Sequence, residues 1–219
     1  MSEQPGERTR ITRLRDKERT ERAELDALLD SAVVGHFALA DPDRGPVVIP
    51  TAIVRDGERV LAHGSTGSRW MRALAGGPAT CLAVTELDGV VVARSAFESS
   101  LHYRSAVLFG TCTELGGAER ARTLDLIIDK LIPGRSGELR VPTRRELEAT
   151  LVLALPIAEW SLKVSAGWPD DLPEDLDGDA WAGVVPLQRS YGEPRPAPDL
   201  AAGIPVPPSV RALGRPQPR

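Results

Sequence analysis

The stretch Leu61-Ala-His-Gly-Ser-Thr-Gly-Ser-Arg-Trp-Met-Arg-Ala-Leu74 starts as an apolar strand, crosses two serines and two glycines, and continues as a basic helix. At such a junction the first helical N–H groups lack intrahelical acceptors and carry the positive end of the helix dipole, so the place favours an anion. Ser65 and Ser68 supply hydroxyl donors, and Gly64 and Gly67 permit close backbone approach. The Arg69 guanidinium is a fork matched to phosphate oxygens, with Arg72 one turn further on. Each charge-assisted hydrogen bond to phosphate is worth roughly 1.5–3 kcal/mol. The bland reading makes the serine an ordinary N-cap and the arginine a solvated first-turn residue. Neither a nucleotide P-loop nor a GxGxxG turn is present, so a phosphate held here belongs to a ligand of another fold. A second basic group, Tyr103-Arg104-Ser105 in "SLHYRSAVLFG", opens a later strand.

The elements that must position these residues are mostly strands. "VVGHFALA", "GPVVIPTAIVRDGERVLAHG", "ATCLAVTELDGVVVARSA" and "YRSAVLFGTCTEL" are β-branched apolar runs separated by Asp-Pro-Asp-Arg-Gly, Arg-Asp-Gly and Leu-Asp-Gly. Asp-Gly between apolar runs signals hairpins, which predicts an antiparallel meander closing into a barrel rather than a parallel doubly wound sheet. Around it, "ERTERAELDALLDSA" places Leu25, Leu28 and Leu29 on one helical face, and "AERARTLDLIIDKLIPG" does the same with Leu124, Ile127, Ile128 and Leu131. "PTRRELEAT" offers Thr143 as a cap with Glu146 three residues later, and "LVLALPIAEWSLKVSAG" returns to strand. Three parts are expected: a flexible segment 1–15, a barrel domain 16–190 and a Pro-rich tail 191–219. The acidic, Pro-rich text from Trp168 onward cannot close its own core, with Trp168, Trp181 and Tyr191 as anchors should it lie on the body or on a partner subunit.

Composition narrows the function classes. A formal charge of −4, from 27 basic and 31 acidic residues, offers no general attraction to nucleic acid or to an anionic membrane. No long apolar run or secretory leader stands in the chain, which predicts a cytoplasmic protein that is not membrane-bound. Cys81 and Cys112 lack metal-ligand spacing and read as reduced thiols, and no metal site is expected.

"LAHGSTGSRWMRALAGG", "GVVVARSAFESSLHYRSAVLFG", "PTRRELEATLVLALP", "WAGVVPL" and "GIPVP" together resemble the pyridoxamine 5'-phosphate oxidase-like superfamily, in its 5-nitroimidazole-resistance branch. The resemblance runs from about Leu25 to about Val206. It implies a mainly β fold with peripheral helices (α+β), a six-stranded antiparallel split β-barrel, a homodimer, and FMN at the dimer interface. It places Ile49, Pro50 and Thr51 along the flavin ring and His63 beside the flavin as the candidate catalytic group. It gives Ser65, Ser68 and Arg69 to the ribityl chain and phosphate, adds Arg104 and Ser105 as further cofactor contacts, and brings Trp181 from the partner. Lys163 is a further candidate for the same pocket. The implied activity is an FMN-dependent oxidoreductase with a reduced nicotinamide donor and a small-molecule oxidised substrate. "WAGVVPLQRSYGEPRP" does not reproduce the Trp–Arg segment that reads the substrate phosphate in the pyridoxal phosphate-forming oxidase, which argues against that reaction. Two alternatives stay open: a non-catalytic flavin- or haem-binding sensor, with His36, His63 or His102 as axial ligand, and a deazaflavin-dependent reductase.

Overall fold

The computed structural model describes Gly6 and residues 8–214. Of the expected N-terminal segment, residues 1–5 and 7 lie outside the described residues, as do residues 215–219 of the tail. The elements are β1 (Glu18–Arg19), α1 (Arg22–Ser31), β2 (Val34–Asp41), β3 (Gly45–Asp56), β4 (Arg59–Ser65), α2 (Arg69–Ala75), β5 (Ala79–Val92), β6 (Ser100–Thr111), β7 (Thr113–Leu115), α3 (Gly117–Leu131), α4 (Arg144–Glu148), β8 (Thr150–Pro156), β9 (Glu159–Ser165), β10 (Gly183–Pro186) and α5 (Pro208–Leu213). The strands pair in the order β1-β9-β6-β5-β2-β3-β4-β8-β7, with β10 added to β5, and every pairing is antiparallel. This is the expected mainly β, split-barrel class. The sheet has ten strands rather than six because β9 and the short strands β1, β7 and β10 extend it.

Side chains alternate across these strands, so each strand feeds two layers. Phe37, Ile53, Leu82, Leu108 and Leu153 point inward and are closed off at one end by Leu25, Leu28 and Leu29 of α1. On the outer side of β3, β4 and β8, α3 covers Val54, Leu61 and Val152 with Ile127. Lys130, in the last turn of α3, donates to the carbonyls of Leu29 (3.0 Å) and Asp30, satisfying acceptors left over at the end of α1. Burial of this ammonium lowers its pKa. α4 begins with the capping box the sequence predicts, Thr143 accepting from the Glu146 N–H while Glu146 accepts from the Thr143 N–H.

One local reading needs correction, and two gain detail. Leu87-Asp88-Gly89 is not a hairpin turn, because β5 runs through it and the register against β6 shifts there. The cause is β10, which pairs with residues 89–92 and brings the Val185 carbonyl so close to Gly89 that an added Cβ would stand 2.8 Å from it. "LVLALPIAEWSLKVSAG" is two strands, β8 and β9, split by a turn after Pro156. In the acidic and Pro-rich stretch, Trp168, Trp181 and Tyr191 remain exposed. Backbone pairing of β10 and the bonds from Ser209 to Glu138 hold that stretch to the body instead. At the other end, Arg8 forms an ion pair with Glu159 and lies 4.9 Å over the Phe109 ring.

Gly89→Ala is expected to cost about 1–3 kcal/mol through overpacking against backbone that cannot give way. It should also speed amide exchange in residues 183–186. Urea unfolding with hydrogen exchange checks both, and wild-type values would show that β10 moves without penalty.

Candidate functional site

The structure sorts the sequence-predicted residues into two groups on opposite faces of the sheet. The first lies where the β2–β3 hairpin meets α2. Ile49 and Arg69, with Leu39, Asp41, Arg44, Val47 and Trp70, line a cavity of about 120 Å³. Trp70 stacks on Phe37 at 6.3 Å between ring centroids, so the cavity has an apolar floor and a charged rim.

Arg69 is already engaged there. Its Nε and Nη2 donate to the two carboxylate oxygens of Asp41 at 3.0 and 2.9 Å, and Nη2 also donates to Asp43 at 2.7 Å. Asp41 is 8% exposed and also accepts the N–H groups of Asp43 and Arg44. Burial pushes this carboxyl up, but the Asp43 N–H and the Arg69 guanidinium outweigh that and hold it below the usual range. Arg69 is raised by the same carboxylates, Asp43 first. Ser68 is the N-cap residue of α2 but makes no side-chain cap bond, while the Ser65 hydroxyl accepts from the Gly67 N–H at 3.1 Å. Arg72 donates to the Thr66 carbonyl at 3.1 Å. The turn therefore presents hydroxyls and amides, with its first arginine matched by two carboxylates.

The second group lies on the outward sheet face. Pro50 pairs with His36, and Thr51, one residue on, points to the other face opposite Gly35. Ser105 pairs with Thr85 on one side and Lys163 on the other. Alternation puts His63 on the same side as Leu61, opposite Val152, at the border of the α3-covered patch. Val34 and Val48, 45% and 59% exposed, continue this face as open apolar surface.

His63 Nδ1 is buried without a hydrogen-bond partner, and burial lowers the imidazole pKa, so the ring is held neutral. His102 Nε2, in contrast, lies 2.7 Å from the Gly167 carbonyl. Arg104 belongs to neither group, because it turns inward, donates to both carboxylate oxygens of Asp88 at 2.9 Å through Nε and Nη2, and reaches the Ser31 hydroxyl through Nη1. Trp181 lies over Gly183 and is 64% exposed. Cys112 is buried, its thiol pushed up to about 11 by desolvation, and both cysteines are free. Among the described residues no three metal-ligating side chains come together, and no helix is long and apolar enough to cross a membrane.

Sequence reasoning did not single out Asp41, Arg44, Trp70 or Thr85. The Asp-Pro-Asp-Arg-Gly turn carried a signal for the first two, since an aspartate before such a turn accepts its N–H groups, as Asp41 does. Trp70 and Thr85 carried none beyond strand and helix periodicity.

The sequence profile described as pyridoxamine 5'-phosphate oxidase matches residues 21–164. A solved FAD and haem binding protein from Mycobacterium smegmatis is 52% identical, covering 90% of this chain and 97% of its own, with a TM-score of 0.86. The flavocytochrome Anf3 from Azotobacter vinelandii is 36% identical, covering 95% and 97%, with a TM-score of 0.88. A candidate 5-nitroimidazole antibiotic resistance protein from Bacteroides thetaiotaomicron, 15% identical over 67% of this chain and 86% of its own, shares the fold at a TM-score of 0.56. No protein with a curated description matches.

Two titrations follow from the site. The Asp41 carboxylate, with its folded pKa depressed, stabilises the fold above the unfolded value of about 3.9. That contribution is lost as pH falls through the lower folded value. Asp41→Asn should therefore be less stable than wild type at neutral pH and converge with it in acid, read from urea midpoints against pH. His63, also depressed, binds its proton first in the unfolded chain, so stability falls as pH drops below about 6.5. An imidazole NMR titration placing His63 at or above 6.5 would contradict its burial.

Proposed function

The chain belongs to the pyridoxamine 5'-phosphate oxidase family, and we propose that it is a flavin-binding redox protein that also holds a haem and works as a homodimer. The observation that carries this reading is the 52% identity, across 90% of the chain, with a protein named for binding FAD and haem. That name favours the dinucleotide FAD over the FMN anticipated from the sequence.

The residues present fit such groups. The cavity at Arg69 is well below the roughly 300–1,000 Å³ of ordinary ligand sites and does not enclose a flavin, which leaves the outward face as the place for it. The exposed apolar residues Val34 and Val48 supply a surface that a second copy can cover. A haem requires a neutral imidazole, and His63 is held neutral with an unpartnered ring nitrogen. When bound, a flavin accepts a hydride and releases electrons singly, and a haem exchanges one electron at its iron.

This chain's residues supply the setting for that chemistry. Pro50 and Val34 present apolar surface, His63 offers an uncharged base, and Ser65 and Ser68 hold hydroxyls in the turn that precedes α2. The reaction proposed is electron passage from a reduced nicotinamide to a small oxidised acceptor, such as a nitro, enone or quinone-like compound.

Purified protein is expected to show flavin absorption together with a Soret band, and His63→Ala to lose the Soret band while keeping flavin. Loss in His36→Ala instead would move the axial ligand to that histidine, and a flavin spectrum alone would remove the haem. Failure to bind added flavin or haem would remove the reading. Because a cofactor enclosed by two copies links binding to assembly, flavin affinity and dimer content should fall together on dilution, as sedimentation with fluorescence would show.

A further inference from the structure

Resting on the flavin reading, we infer that Thr85, Ser105 and Lys163 form a seat for the diphosphate of a bound dinucleotide. The three are cross-strand neighbours on β5, β6 and β9, Thr85 opposite Ser105 and Ser105 opposite Lys163. Neighbouring strands stand about 4.8 Å apart, so the row spans close to 10 Å at its backbone, wider than one phosphate and suited to two linked ones. Thr85 Oγ1 and Ser105 Oγ lie 3.1 Å apart, so one hydroxyl donates to the other and the second keeps its own O–H free for a ligand. Lys163 adds an ammonium with three donors and no acceptor.

The surroundings make this row stand out. Leu87 and Tyr103 flank it on one side along the strands, and Ala83 and Val107 on the other. Continuing the β2–β5 register by two residues from His36–Ala83 brings Val34 in line with Thr85. On β5 and β6 the row is a polar step between apolar neighbours, and on β9 Ser161 and Ser165 extend it along the strand. Among the described residues no carboxylate comes within ion-pair distance of Lys163. Glu18, its partner in register on β1, accepts from the Ile11 N–H at 3.3 Å instead. Once a second copy covers this face, an ammonium beside two hydroxyls leaves water and requires an anion. The row is also separate from the Arg69 turn, whose guanidinium already faces two carboxylates.

Both FAD and a reduced nicotinamide dinucleotide carry a diphosphate, and titration by fluorescence separates them. Wild type, Lys163→Met and the double variant Thr85→Val/Ser105→Ala are each titrated with riboflavin, FMN, FAD and NADH. Lys163→Met is expected to raise the dissociation constant for FAD about tenfold or more, with riboflavin unchanged and recovery in Lys163→Arg. A rise for NADH with FAD unchanged would assign the seat to the electron donor's diphosphate and still support it. Unchanged constants for both dinucleotides in both variants would overturn the seat. Wild type that binds neither riboflavin nor FAD would defeat the flavin reading instead, leaving the seat to be judged on NADH alone.

Discussion

The two-residue period of antiparallel strands locked in register is the constraint on which the site depends. On β3, Ile49 and Ile53 face the interior while Val48 and Pro50 face out. On β6, Ala106 and Leu108 face in while Ser105 and Val107 face out. A slip of β9 by one residue would exchange Leu162, which is fully buried, for Lys163. The burial of Leu162, Leu108 and Leu82 thus fixes where Lys163, Ser105 and Thr85 stand, and no separate interaction is needed to hold the outward row. The core is the scaffold of the site in the literal sense that alternate residues of the same strands build each.

Electrostatics reorders the apparent importance of the two basic groups. The turn after β4 carries the stronger sequence signal, since serines, glycines and an arginine converge there. Yet Arg69 faces one buried carboxylate and a second exposed one, contributed from 28 and 26 residues upstream by the β2–β3 hairpin. Nε and Nη2 of Arg69 are held by those carboxylates, which weakens its pull on a dianion, while Arg44 adds a second positive charge to the cavity lining. What the Asp41–Arg69 fork does provide is rigidity, by tying the hairpin to the first turn of a helix only seven residues long. Lys163 has the opposite profile, with a weak signal in sequence and, among the described residues, no carboxylate within ion-pair distance.

What was legible in the sequence follows from the range of the forces involved. Leu25, Leu28 and Leu29, and the Thr143–Glu146 capping box, are set by neighbours within one or two helical turns and read directly. The strand runs were equally plain, because β-branched residues and alternation are local properties. The Leu-Asp-Gly run misled because a glycine serves a tight turn and a close backbone approach alike, and only the arrival of β10 from nearly a hundred residues away decides between them. Asp41's hold on Arg69, the inward turn of Arg104 toward Asp88, and the alignment of Thr85 with Lys163 are likewise products of topology. Any residue pair brought together by sheet pairing alone leaves no mark in spacing along the chain.

The outward face has a further thermodynamic consequence. Val34, Val48 and Pro50 gain by leaving water, whereas Lys163 loses unless an anion meets it. Association of two bare copies through this face would therefore be opposed by its polar members and favoured by its apolar ones. A ligand that supplies an anion to Lys163 would remove the opposing part and leave the favourable part intact. Coupling of this kind is reciprocal: whatever strengthens association by satisfying Lys163 is itself bound more tightly by the associated form. In such an association the polar residues on this face would set which molecule is enclosed, and the apolar ones would supply the drive to close.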